Sequence, residues 1–85
     1  MAAKEEFYLS IMNEKGVLYY GPCTILFLPS ARGEIAVMRH HTPMIIRLTQ
    51  GKIHMDGSGG KQEIAESTSG IAYVAEDEVS VLIGF

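Results

Sequence analysis

Turn-forming residues interrupt this chain at intervals of roughly 8–12 positions, and no dozen-residue window between them places apolar residues at the 3.6-residue period of a helix. That punctuation constrains the fold more than any other feature. A helix needs about 12 residues of sustained period to bury a stripe, and no such stretch is present. Short strands remain. Phe7, Leu9 and Ile11 alternate with Tyr8, Ser10 and Met12, the period of two that gives a strand two unlike faces. Asn13-Glu14-Lys15-Gly16 reads as a turn, residues 17–20 as a second strand stopped by Gly21-Pro22, and residues 23–28 as a third broken by Pro29-Ser30-Ala31-Arg32-Gly33. Further strands are expected over residues 35–38, 44–48, 52–55, 61–65, 71–74 and 79–83. Asp56-Gly57-Ser58-Gly59-Gly60 is the strongest hairpin signal, and Glu76-Asp77-Glu78 reads as a solvated acidic turn. The expectation is an all-β fold, a flattened sandwich of about eight to ten short strands, in one domain covering residues 1–85.

Composition narrows the function classes. With 47% hydrophobic and 20% charged residues, the 85-residue chain matches a small globular domain. Its formal net charge of −3 argues against nucleic acid, which needs a basic face. The opening Met-Ala-Ala-Lys-Glu-Glu has no apolar segment and is read as no signal peptide. The apolar runs are far shorter than the roughly 20 residues of a membrane-spanning helix, so any membrane association is expected through a partner. The single cysteine, Cys23, cannot form an internal disulfide or build a structural zinc site. Lying between Pro22 and Thr24 at the entry to an apolar strand, it is read as a small core or edge residue and not as a nucleophile.

Arg39-His40-His41, closed by Pro43, is the one crowded polar loop. A metal site there lacks support. Neighbouring residues on a strand point to opposite faces, His54 belongs to another strand, and no Cys-x-x-Cys or His-x-His spacing is present. Gly57-Ser58-Gly59-Gly60 lacks the Gly-Lys-Ser/Thr and helix of a phosphate loop. Tyr19 and Tyr20 are expected to divide between core and surface, while Met38, Met44 and Met55 are expected to fill gaps in the core. What remains is a compact β-module with a polar docking loop. The rival reading is a stand-alone metal- or ligand-binding module built on Arg39-His40-His41. An oligonucleotide-binding barrel would require a basic groove with exposed aromatics.

The run Gly33-Glu34-Ile35-Ala36-Val37-Met38-Arg39-His40-His41-Thr42-Pro43-Met44-Ile45 resembles the pattern Gly-Glu-Leu-Gly-apolar-x-Pro-Gly-His-Ala-Pro-Leu-Leu of the epsilon subunit of F-type ATP synthases, called delta in mitochondria. Other segments match in order: Phe7-Tyr8-Leu9-Ser10-Ile11, Gly16-Val17-Leu18-Tyr19-Tyr20-Gly21, Leu48-Thr49-Gln50-Gly51-Lys52-Ile53, Ser69-Gly70-Ile71-Ala72-Tyr73-Val74 and Val79-Ser80-Val81-Leu82. The resemblance implies the N-terminal β-sandwich of a rotor-stalk subunit. Such a subunit grips the gamma subunit and rests on the c ring, couples rotation to ATP synthesis, and performs no chemistry and holds no cofactor. It would sit on the cytoplasmic face of a bacterial inner membrane through the complex. By the same resemblance, Glu34, Arg39, His40 and His41 face the c ring, and Asn13, Pro43 and Met44 face gamma. Ala36 replaces a family glycine and Arg39-His40 replaces Pro-Gly, so a different loop shape is expected. The family's C-terminal helical hairpin, associated with inhibition of ATP hydrolysis, has no counterpart here, and its roles are not expected of these residues.

Overall fold

Period-two alternation becomes strand wherever it occurs. The structure, a computed structural model, describes residues 6–57 and 59–84; residues 1–5, Ser58 and Phe85 lie outside the described residues. The reading of the opening segment, and the Ser58 position of the expected hairpin loop, therefore fall outside what is described. Nine strands follow one another: β1 (Phe7–Asn13), β2 (Gly16–Cys23), β3 (Ile25–Ser30), β4 (Gly33–Met38), β5 (Met44–Leu48), β6 (Gly51–Gly57), β7 (Gly60–Ser67), β8 (Gly70–Val74) and β9 (Glu78–Ile83). No helix occurs among the described residues. The fold is an all-β, nearly closed sandwich measuring 41 × 26 × 23 Å.

The strands form two layers. One runs β2-β1-β9-β8-β5, with β1 and β9 parallel and the other neighbours antiparallel. The other runs β4-β3-β6-β7. A narrow seam joins them where Ser30 of β3 pairs with Leu48 of β5 and the Thr49 amide donates to the Pro29 carbonyl at 3.2 Å. Between the layers lies the core. Leu9, Ile11, Ile46, Val79 and Val81 project from the first layer, and Leu26, Leu28, Val37 and Ile53 oppose them from the second, all buried. Each such side chain contributes about 1.5–3 kcal/mol on burial.

Several expectations change in detail. Gly21-Pro22 does not stop β2, which continues to Cys23. β2 is an edge strand, where proline's missing N–H leaves no ladder bond unmade. Cys23 accordingly ends β2 instead of opening β3. Pro29-Ser30 does not break β3 either; both residues pair within it, Pro29 with Glu34 and Ser30 with Gly33. Tyr19 and Tyr20 divide as expected. Tyr19 packs against the core and donates its hydroxyl to the Pro22 carbonyl at 2.8 Å, whereas Tyr20 is exposed. Met55 packs on the core, but Met38 and Met44 are exposed. Met38 lies on the outward side of β4 opposite Ile25, and Met44 begins β5 at the margin of its layer.

Candidate functional site

The two outer faces of the sandwich differ in chemistry. On the first layer, cross-strand register brings Tyr20, Ser10, Ser80, Tyr73 and Ile45 into one row. A second row holds Val17, Met12, Leu82, Ile71 and Arg47. Tyr20 is 72% exposed, Ile45 67% and Val17 62%. Tyr8 stacks on Tyr20 with ring centroids 6.3 Å apart. Arg47 is the one charged residue in either row. A groove of about 550 Å³ between Ile45, Arg47, Ile71 and Leu82 opens onto this surface, with Gly70 in its wall. An exposed, largely apolar surface of this kind, with half-buried Ser10 and Ser80 between its tyrosines, marks an interaction site in a folded protein.

The outer face of the second layer is polar. Lys52 Nζ lies 3.4 Å from Glu63 Oε1, and Lys61 Nζ donates to Glu34 Oε1 at 2.8 Å. The apolar rows went unnoticed as a site in the sequence. Their signal was nevertheless present: Ile71-Ala72-Tyr73-Val74 and Val17-Leu18-Tyr19-Tyr20 are continuously apolar where a half-solvated strand alternates. A continuous run says that both faces are to be covered.

The residues singled out in the sequence fall into three places. Asn13 closes β1 and shapes the β1–β2 turn, its Oδ1 accepting the Lys15 amide at 2.8 Å. Pro43 precedes β5 and Met44 opens it, so Asn13 and Met44 adjoin the apolar rows next to Met12 and Ile45. Arg39, His40 and His41 follow β4. The His40 amide donates to the Glu76 carbonyl at 2.8 Å, and its Nδ1 lies 3.2 Å from Glu76 Oε2, tying this loop to the β8–β9 turn. Glu34 is the second residue of β4, and an extended run of five residues places it about 16 Å from Arg39. Its partners are Lys61 and His54 of the polar face.

His40 has φ 67°, the left-handed conformation that glycine enters freely. It stands where the resembled pattern has glycine, and the backbone takes a glycine-like conformation there while the imidazole meets the Glu76 carboxylate. Ala36 lies within β4 at ordinary φ, and no backbone need for glycine exists there. The two neighbouring imidazoles serve different partners, because His41 Nδ1 donates to the Thr42 carbonyl at 2.8 Å. Among the described residues no three His, Cys, Asp or Glu side chains are placed to hold a metal ion. Cys23 is buried; burial pushes its thiol up to about 11, and its Sγ donates to the Ile25 carbonyl at 3.4 Å. It is a packed core thiol whose burial favours the neutral, less reactive form.

Residues 6–84 match the family model described as the ATP synthase, Delta/Epsilon chain, beta-sandwich domain. The chain belongs to the ATP synthase delta/epsilon family. The ATP synthase epsilon chain of Campylobacter lari is 35% identical over 74 residues, covering 87% of this chain and 57% of the relative. That of Nitrosospira multiformis is 26% identical over 76 residues, covering 89% and 55%. The chain thus spans little more than half the length of these curated relatives. Among solved structures, a chain of the Euglena gracilis mitochondrial ATP synthase (OSCP/F1/c-ring, rotational state 1) superposes with a TM-score of 0.82 at 17% identity, covering 98% of this chain and 53% of that one. A chain of the Tetrahymena thermophila central stalk/c-ring structure superposes with a TM-score of 0.73 at 8% identity, covering 99% and 67%. These two likenesses establish a shared fold. Among the described residues no helix is long and apolar enough to cross a membrane.

Proposed function

We propose that this chain is the β-sandwich of a central-stalk rotor subunit in a proton- or sodium-translocating F-type ATP synthase. It couples ring rotation to ATP synthesis by gripping two neighbours and carries out no reaction itself. The carrying observation is the asymmetry of the sandwich: one outer face is largely apolar, with Tyr20, Tyr73, Ile45, Val17 and Ile71 exposed, and the other is laced with ion pairs. An apolar sheet face is stable in water only at a cost that docking removes, and a rotor shaft offers the permanent partner such a face requires. The gamma subunit takes the apolar face, bordered by Asn13, Pro43 and Met44. The polar loops of the c ring take the β4 side, with Glu34, Arg39, His40 and His41. Family membership supports this, as do the assemblies in which the like-folded chains occur, F1 with a c ring in Euglena and a central stalk with a c ring in Tetrahymena. The chain then lies peripherally on the cytoplasmic face of a bacterial inner membrane, held there by the complex.

Co-purification with a gamma subunit tests the reading. Ile45→Glu combined with Tyr73→Glu forces two carboxylates into the centre of the contact, where desolvation costs several kcal/mol. Gamma capture is expected to fall at least a hundredfold while the chain still melts cooperatively, because both side chains point away from the core. Equal capture by this variant and the unmodified chain would refute the assignment.

A further inference from the structure

On the polar face, three strands converge on one carboxylate. Glu34 lies near the start of β4. From β7, Lys61 reaches across β3, its Nζ 4.3 Å from the centroid of the Phe27 ring, and donates to Glu34 Oε1 at 2.8 Å. From β6, His54 Nδ1 lies 3.9 Å from Glu34 Oε2, beyond hydrogen-bond reach, and has no hydrogen-bond partner among the described residues. Register explains the meeting. Phe27 stands opposite Ala36 on β4 and His54 on β6, and His54 stands opposite Glu63 on β7, so Phe27 is the floor between two edge strands.

A half-exposed ion pair between two flexible side chains ordinarily fixes neither of them. Here the aromatic face restrains the ammonium independently of the carboxylate. A lysine held in place by a ring selects, among the rotamers of its acceptor, the one that meets it. We propose that Lys61, seated on Phe27, is a positioning residue that holds the Glu34 carboxylate in a single rotamer for docking. A carboxylate offers about four acceptor sites, and Lys61 occupies one. The partner group that completes the site is therefore a hydrogen-bond donor, and the ordering of the Glu34 side chain is already accomplished before the partner arrives. This inference rests on the reading of Glu34 as a residue facing the c ring.

The test uses the gamma-bound chain and detergent-solubilised c ring, with affinity measured for Glu34→Gln, Lys61→Met, Lys61→Arg and the Glu34→Gln/Lys61→Met pair. Lys61→Met is expected to weaken binding roughly three- to fivefold. Lys61→Arg restores it to within about twofold, because a guanidinium also stacks on Phe27 and donates to a carboxylate. The double variant is expected to bind no more weakly than Glu34→Gln alone, since a positioning residue has nothing to position once the carboxylate is gone. Additive losses, or a Lys61→Met chain that binds normally while Glu34→Gln weakens, would overturn the positioning role and leave the rotor reading standing. If Glu34→Gln binds as tightly as the unmodified chain, the docking role of Glu34 falls and the role of Lys61 falls with it.

Discussion

Gly70 leaves no room for a side chain. It opens β8 and pairs with Leu48 of β5 on one side and Ile83 of β9 on the other. A Cβ added there would overlap the Leu82 carbonyl oxygen and stand 3.0 Å from the Ile83 Cα. Both obstacles are backbone atoms of β9, which is itself held between β1 and β8 and has no rotamer to change. Relief requires β8 and β9 to part at this end. Overpacking of this kind costs about 1–3 kcal/mol, and a weakened terminal ladder bond adds roughly 1 kcal/mol. The reduced entropy of the unfolded chain returns about 0.4–1 kcal/mol. Gly70→Ala is therefore expected to destabilise by about 1–3 kcal/mol, which in a domain of this size lowers the melting temperature by roughly 5–20 °C. Urea unfolding followed by far-ultraviolet circular dichroism measures it. Gly59→Ala serves as the control, because an added Cβ there meets nothing within 4 Å. A Gly70→Ala midpoint equal to or above that of the unmodified chain would show that the β8–β9 contact yields freely and that the steric reasoning is wrong.

Backbone conformation at His40 sets a second expectation. His40→Val is expected to be less stable than His40→Gly by about 1–2 kcal/mol, since a β-branched residue pays most for the left-handed conformation; equal stabilities by denaturant titration would contradict it. Cys23 sets a third. Its thiol is raised from an ordinary 9.0 to about 11, first by burial, so the folded state favours the neutral form. The stability this confers is complete below about pH 9 and is lost as pH rises from there toward 11. Cys23→Ala is expected to lose this alkaline slope, and alkylation of Cys23 at pH 8 is expected only at the rate of unfolding. Rapid labelling of the native chain would place the thiol at the surface.

Most of the architecture was legible because its signals were local. Phe7, Leu9 and Ile11 announce the buried side of β1, and the apolar strand core of β4 ends where the His loop begins. Strand ends are less legible where proline suggests a stop that the sheet does not make. Pro22 and Pro29 were tolerated because β2 is an edge and because β3 meets β5 only at Ser30, and strand order is not a local property. The methionines misled for related reasons: Met38 lies on the outward side of β4, which only the partner layer decides, and Met44 shares the inward side of Ile46 and Leu48 but begins β5 at the margin, where nothing covers it fully. The Glu34–Lys61 contact joins residues 27 positions apart through Phe27 and had no signature in spacing. At His40 the replacement of Pro-Gly by Arg39-His40 points to a different loop shape, yet the residue has the positive φ that glycine enters freely.

The two faces bear on how such a piece transmits force. Rows of exposed tyrosine, isoleucine and valine on a lone sheet invite aggregation, and only Ser10, Ser80 and Arg47 interrupt them. The molecule nevertheless places these residues on its five-stranded layer, where β1 and β9 are paired on both edges and cannot be peeled away. The charged face belongs to the second layer, with Glu34 on β4, Lys52 on β6 and Lys61 and Glu63 on β7, and the His40–Glu76 tie joins the loop after β4 to the β8–β9 turn. A grip on the shaft through the stiff layer and a lighter, polar contact through the margins would let torque pass into the sandwich over many strands at once. The opposite arrangement would load β4, which pairs only with β3 and would be pulled from its edge. Under the proposed rotor role, this distribution of apolar and charged surface over strong and weak parts of the sheet supports gamma as the occupant of the five-stranded face.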